Sequence, residues 1–243
     1  MSLLTICQKA AAQLAIPVPN AIVSSTDAQT VQLYQLAQAL CPDMASRYEW
    51  SKLRKIYTFS AVDQTEQTGS VASDFDYYIN ESMFDRTTTR KIYGPLTAED
   101  WEIELSFPVY TSVDPAFRFA ASSVDPNLPI IWITPNPTAG DTVGYEYASN
   151  GWCIGADLVP KSQFTADTDT TIFKETTVVQ GLIAMWKEAK GFDYAESMNR
   201  FEEMFARDSA QDGGKPRLNL AVGLGRRTYW PYNVQAGSFP GNS

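Results

Sequence analysis

The sequence predicts an α+β fold: a four-helix bundle with an inserted β-rich domain and an extended C-terminal arm. Three observations predict it. Apolar residues recur at helical spacing in four segments, two before Tyr48 and two between Phe173 and Asp208. From Glu49 to Pro160 that period is lost, and Thr, Tyr, Phe, Ile and Val rise between Pro, Gly, Asn and Asp clusters. After Asp208 the chain becomes Gly-rich, with six of its fourteen glycines and three of its fourteen prolines. The expected divisions are 1–48 for the N-terminal helices, 49–160 for the inserted domain, 161–209 for a helix hairpin and 210–243 for the arm.

Taken in order, Ser2–Ala15 reads as a helix with Leu3, Ile6, Cys7, Ala10 and Leu14 on one side, ended by Pro17 and Pro19. Ser24, Ser25, Thr26 and Asp27 are candidate N-caps for a second helix. Its apolar side is Val31, Tyr34, Leu36, Leu40 and Met44, and Pro42 either kinks or ends it, because the ring removes a donor and crowds the preceding turn. Strands are expected at Lys52–Ser60, Arg90–Tyr93, Phe117–Ala121, Ile130–Thr134 and Thr142–Ser149. The last two flank PNPTAGD, which reads as a hairpin connection. Phe75–Asp85 is ambiguous and reads equally as a short helix. Thr97 caps a short helix ending near Leu105.

The hairpin at 161–209 is the organising segment. From Phe173 to Lys190 the stripe is Val178, Leu182, Trp186 and Ala189, with Val179, Ile183 and Met185 beside it, and Gly191 is the stop. Asp193 and Glu196 have the spacing of a capping box, and Tyr194, Met198, Phe201 and Phe205 mark the next helix. Trp186 is expected buried against the N-terminal helices. A pair of helices cannot bury two apolar faces alone, so partners are required.

Composition excludes several classes. The chain has 243 residues, 44% of them hydrophobic, a net charge of −9 and no histidine, so the commonest general base and zinc ligand are missing. Cys7, Cys41 and Cys153 are odd in number and lack C-x-x-C spacing. No apolar run approaches the ~18 residues of a membrane span, and MSLLTICQKA lacks the basic start of a signal peptide. The expectation is a chain folded in a reducing cytoplasm, with no membrane partner and no cofactor. Charge is uneven: residues 47–160 hold 8 basic and 16 acidic side chains, whereas 210–243 hold Lys215, Arg217, Arg226 and Arg227 against Asp212 alone.

Three motifs carry possible chemistry. Asp167-Thr168-Asp169-Thr170 matches the D-x-D-x-T of aspartyl phosphotransferases, but the lead-in KSQFTA is polar where an apolar strand is needed. The competing reading is a loop whose Asp and Thr side chains satisfy turn amides and cap the next helix. Glu99, Asp100, Glu102 and Glu104 read as a solvated acidic face; paired glycosidase carboxylates would need a separation of ~5–10 Å that sequence spacing does not provide. The arm interleaves Arg226 and Arg227 with Tyr229, Trp230 and Tyr232, a pattern shared by single-strand nucleic-acid binders and by protein-interface anchors. On so acidic a chain it favours a protein partner. The partner-binding arm residues are Arg217, Leu218, Arg226, Arg227, Tyr229, Trp230, Tyr232 and Phe239.

A family resemblance gives the specific function. LLTICQKAAAQLAIPVPNAIVSS, RYEWSKL, DFDYYINESMFDRTT, KIYGPLTAEDW, AGDTVGYEYASNGW and FTADTDTTIFKETTVVQGLIAMWKEAKGFDYAE occur in that order. Together they resemble the head-to-tail adaptor (connector) proteins of tailed bacteriophages, the tail tubular protein A-like group of short-tailed phages. The segment beyond Ala210 matches least well. The resemblance implies a non-enzymatic virion protein at the head-tail junction. It implies a ring, usually dodecameric, with the portal protein and the tail nozzle or tail tube protein as partners, and genomic DNA passing the lumen without sequence-specific binding. An acidic lumen would repel phosphate and let DNA slide. A carbohydrate-binding or carbohydrate-hydrolysing tail protein is the alternative.

Overall fold

The computed structural model describes residues 2–106, 114–122 and 128–213; the eight arm residues named above lie outside them. The described residues form five α-helices and eleven β-strands. The helices are α1 (Leu3–Gln13), α2 (Ala28–Ser46), α3 (Ala98–Ser106), α4 (Glu175–Ala189) and α5 (Ala195–Asp212). Eight strands belong to the central region: β1 (Arg54–Ser60), β2 (Glu66–Gln67), β3 (Phe75–Tyr78), β4 (Phe84–Asp85), β5 (Arg90–Lys91), β6 (Ala116–Ala121), β7 (Pro129–Thr134) and β8 (Thr142–Ser149). Three short ones follow, β9 (Cys153–Ile154), β10 (Pro160–Lys161) and β11 (Thr170–Thr171).

Local chemistry sets the helix ends. Ser2 caps α1 by accepting from the Thr5 amide, and Asp27 caps α2 by accepting from the Thr30 amide at 2.9 Å. α2 runs through Pro42 to Ser46, so the proline does not end it. Its buried residues include the expected Leu40 and Met44 together with Leu33, Ala37 and Cys41; Tyr34 and Leu36 are partly buried against the core, and Val31 is exposed. α4 closes in a Schellman motif: the Gly191 amide donates to the Glu188 carbonyl, the Phe192 amide donates to the Lys187 carbonyl, and Gly191 sits at φ +74°. Asp193 accepts from the Ala195 amide, an Asx turn ahead of α5.

The architecture is an α+β mixture and not a four-helix bundle with an inserted domain. α4 is buried at every position from Thr177 to Ala184 and again at Trp186, so it is a central helix surrounded by other elements. α1, α2 and α5 each pack on α4. Gly181 permits the close approach: an added Cβ would lie 2.7 Å from Leu40 Cδ2 and 2.9 Å from the Phe201 ring. Helices alone do not complete this core. Trp152, Cys153 and Phe164 belong to it, and the small sheet β10-β9-β11 is tied to α1 by the Ser2–Thr170 bridge and the Leu3 amide on the Asp169 carbonyl. Trp186 is buried in this core and stacks on Phe192 at 5.8 Å. The fifth helix, α3, lies in the β region and buries Trp101.

The second core lies between two antiparallel sheets. One has the order β1-β8-β4-β5 with β3 also on β8; the other is β2-β7-β6. Phe59, Val143, Tyr145 and Tyr147 from the first face Phe117, Ile131 and Ile133 from the second. β7 and β8 are therefore not a hairpin. PNPTAGD carries the chain from one sheet to the other, because Ile133 and Val143 fill the same core from opposite sides. Phe75–Asp85 forms β3 and β4, not a helix.

All three thiols are buried, Cys7 and Cys41 in the α1 and α2 faces of the helical core and Cys153 on β9. Burial pushes the Cys7 and Cys153 thiols up to about 12, and nearby Asp167 and Asp169 respectively add to it. They are inert, protonated core residues. A disulfide-exchange reagent is expected to leave all three untouched in the native protein at neutral pH and to titrate three after denaturation. Rapid native labelling of any one would contradict this burial.

Candidate functional site

The D-x-D-x-T segment is a clamp. Asp167 accepts from the Ile22 and Val23 amides at 3.1 and 2.8 Å, which pins the α1–α2 connection. Asp169 is buried and accepts from the Thr165 and Ala166 amides and the Thr165 hydroxyl, with Lys161 at 3.4 Å. Burial works against its charge, but those two amides, that hydroxyl and Lys161 outweigh it and hold the carboxyl below the usual range. The turn-amide reading is the one observed. The capping half is not, since Lys174 caps α4 and makes no side-chain cap bond. Glu99, Asp100 and Glu102 are exposed on α3, and Thr97 caps its start by accepting from the Asp100 amide.

Two concave surfaces are lined in part by carboxylates. The first is a groove over α4 between α1 and α5, lined by Lys9, Gln13, Glu175, Val179, Gln180, Arg200 and Met204. Glu175 Oε2 pairs with Lys9 at 2.7 Å, while its Oε1 is buried without a hydrogen-bond partner. A buried carboxylate oxygen without a donor is costly.

The second is a cleft of about 150 Å³ at one end of the sandwich, between the β4–β5 turn, Asp114-Pro115 and the β7–β8 connection. Asp85, Asp114 and Asp141 line it with Arg90, Thr88 and Asn136, between Ile92, Ile133 and three prolines. Asp85 and Asp141 are both buried. They differ in what they bond. Asp85 accepts from the Thr87 and Thr88 amides and the Thr88 hydroxyl, so it holds its own turn. The Asp141 carboxylate makes no hydrogen bond or ion pair with any described residue, although only 8% of the residue is exposed. Among the described residues no group of His, Cys, Asp or Glu is arranged to hold a metal ion, and no described helix is long and apolar enough to cross a membrane.

Sequence reasoning missed both Glu175 and Asp141. Asp141 reads as one more turn residue of PNPTAGD, and nothing local marks its carboxylate as unpaired. Asp85 had a signal, since an Asp followed by Thr at the second and third positions is Asx-turn chemistry. No protein-family model matches the chain, and no curated protein matches it.

Proposed function

We propose that this protein is a structural head-tail adaptor of a phage virion. In this reading it forms a ring under the portal protein, extends the DNA channel and docks the tail nozzle. The observation that carries the reading is the ordered series of adaptor-like stretches from Leu3 to Gly191. The use of carboxylates supports it. Asp74, Asp85, Asp167, Asp169 and Asp208 all bond the chain's own donors and serve the body of the protein. Glu175, which pairs with Lys9, and Asp141 line two separate concave surfaces, one over the helical core and one at the end of the sandwich. Several partners with modest contacts, repeated around a ring, give stable attachment by avidity.

The arm beyond α5 docks on the portal or an adjacent subunit, with Trp230 and the Arg226-Arg227 pair as anchors. Negative-stain imaging of the protein with and without portal tests the reading, and a ring seated on the portal is the expected result. Deleting residues from Gly213 onward is expected to leave the melting temperature within about 1 °C, since a few tenths of a kcal/mol is all an undocked surface segment contributes. Stable attachment to the portal is expected to be lost. Normal assembly by the truncated protein, or its unfolding, would overturn the role given to the arm.

The sandwich cleft favours one second reading, a carbohydrate-binding tail protein. Hydrolysis fits it less well. A two-carboxylate mechanism needs both groups free to exchange protons or attack, and Asp85 is engaged by three donors of its own turn.

A further inference from the structure

We infer that the groove over α4 between α1 and α5 binds an uncharged, extended segment of a partner protein, held at Glu175 by one of that segment's amide groups. The inference goes beyond the adaptor reading and does not depend on it. Two observations carry it. Glu175 lines the groove with only 10% of its side chain exposed, and its Oε1 is buried without a hydrogen-bond partner. On the α5 wall Arg200 is exposed and makes no hydrogen bond or ion pair with any described residue. The groove therefore holds an unused acceptor inside and an unused fork of donors at its rim.

The length of the groove suits a chain rather than a single small group. Its floor is the face of α4 that carries Glu175, Val179, Ile183 and Lys187 in four-residue steps, and Gln13, Gln180 and Arg200 line both halves of it. The helix rises about 18 Å between Glu175 and Lys187. That is the span of about five residues of extended chain.

Charge selects the occupant. Lys9 neutralises Glu175 through Oε2 at 2.7 Å. In the far half Lys187, which donates to the Ser197 hydroxyl at 2.7 Å, offsets Glu196. Arg200 leaves the groove with one positive charge in excess. A cationic group meets Lys9 and Arg200 and finds Glu175 already paired. An ionised carboxylate satisfies Arg200 but sets its own oxygens against Glu175 Oε1, with no proton to give. A peptide group brings both parts at once: its N–H can donate to Oε1 and its C=O can accept from Arg200. Val179 and Met204 line the same stretch and offer apolar contact to the adjoining side chains.

The test is an NMR titration of the full-length chain with three blocked pentapeptides of serine and valine, whose central residue is asparagine, aspartate or lysine. The groove reads main chain, so a simple sequence is a sufficient probe. The asparagine peptide is expected to shift the signals of Gln13, Val179, Gln180 and Arg200 saturably, and the two charged peptides to bind at least fivefold more weakly. Glu175→Gln is expected to weaken the asparagine peptide at least fivefold without lowering the melting midpoint, because Oε1 bonds nothing in the fold and a glutamine carbonyl still accepts from Lys9. Arg200→Gln, at an exposed position, is expected to weaken that peptide and to erase the discrimination against the lysine peptide, which a merely structural role would not do. No saturable shift, binding indifferent to both variants, or a lowered midpoint for Glu175→Gln overturns the inference. Shifts of the same signals that grow with protein concentration alone make the occupant a second copy, and shifts by cellotetraose but by no peptide make it a glycan; either result also overturns the assignment.

Discussion

Trp50→Ala is expected to destabilise the protein by about 3–5 kcal/mol, the usual cost of deleting a buried aromatic side chain. For a chain of this length that lowers the melting midpoint by roughly 6–20 °C. Trp50 is buried where four segments meet. Its indole N–H donates to the Met44 carbonyl at the end of α2, 2.8 Å away. Its ring meets Tyr48, Phe173 and Phe205 edge-on, with centroids 5.3, 5.2 and 5.8 Å apart. Phe173 leads into α4 and Phe205 lies on α5, and four residues after Trp50 the chain becomes β1. One side chain therefore fixes the exit from the helical core and the angle at which the sandwich begins. Trp50→Phe keeps a ring but leaves the Met44 carbonyl without its donor, so about 1–3 kcal/mol is expected from that lost bond. Chemical denaturation of both variants checks this. A loss under about 1 kcal/mol for Trp50→Ala would show that the junction does not depend on it.

Much of the fold was legible because local chemistry decides it. The cap at Asp27, the Gly191 stop, the stripe through Val178, Leu182 and Trp186 and the full span of β8 all follow from residues within a few positions of one another. Failures came where a distant partner decides. The wide stripe of α4 read as one side of a bundle, yet α4 is buried at eight successive positions, which requires neighbours on every side. On α2 the expected Leu40 and Met44 are in the core, while Leu33 and Ala37 are buried where Val31 was expected; the close approach of α4 at Gly181 meets Leu40. PNPTAGD has hairpin chemistry, but turn residues do not say which sheet the next strand joins; the facing of Ile133 and Val143 does.

The candidate surfaces were less legible for the same reason. The acidic surplus of 47–160 is visible as composition. Which carboxylates are consumed is not. Glu175 is paired by Lys9, 166 positions away, and Asp167 by amides about 145 positions away. Asp141 differs from them in having no such side-chain partner among the described residues, and pairing of this kind is a property of the folded chain.

Asp74 gives the other large effect, and its sign depends on pH. The carboxylate accepts from Lys55 Nζ at 2.5 Å, the Tyr147 hydroxyl at 2.7 Å and the Ser149 hydroxyl at 2.7 Å. The Asp74 carbonyl accepts from the Asn150 amide. These bonds hold β1, β8 and the approach to β3 together at the end of the sandwich nearer the helices. Burial alone would raise the carboxyl, but Lys55, Ser149 and Tyr147 more than offset it and hold it at about 2. Asp74→Ala strands three donors, so about 2–4 kcal/mol is expected at neutral pH. A carboxyl lowered in the folded state stabilises it above the unfolded pKa near 4, and that contribution fades as pH falls towards 2. The stability gap between wild type and Asp74→Asn should therefore be constant from about pH 5 to 8 and shrink steadily between pH 4 and 2. Tyr147 extends the plateau on the alkaline side. Burial first, and then the Asp74 charge, raise its hydroxyl above the usual tyrosine range, so it remains a donor past pH 10 and its contribution is lost only as pH rises through that higher value. Urea melts of the two proteins across this range measure the gap directly. A gap that does not change between pH 5 and 2 would mean that the Asp74 charge does not hold the sheet end, and that shape alone does.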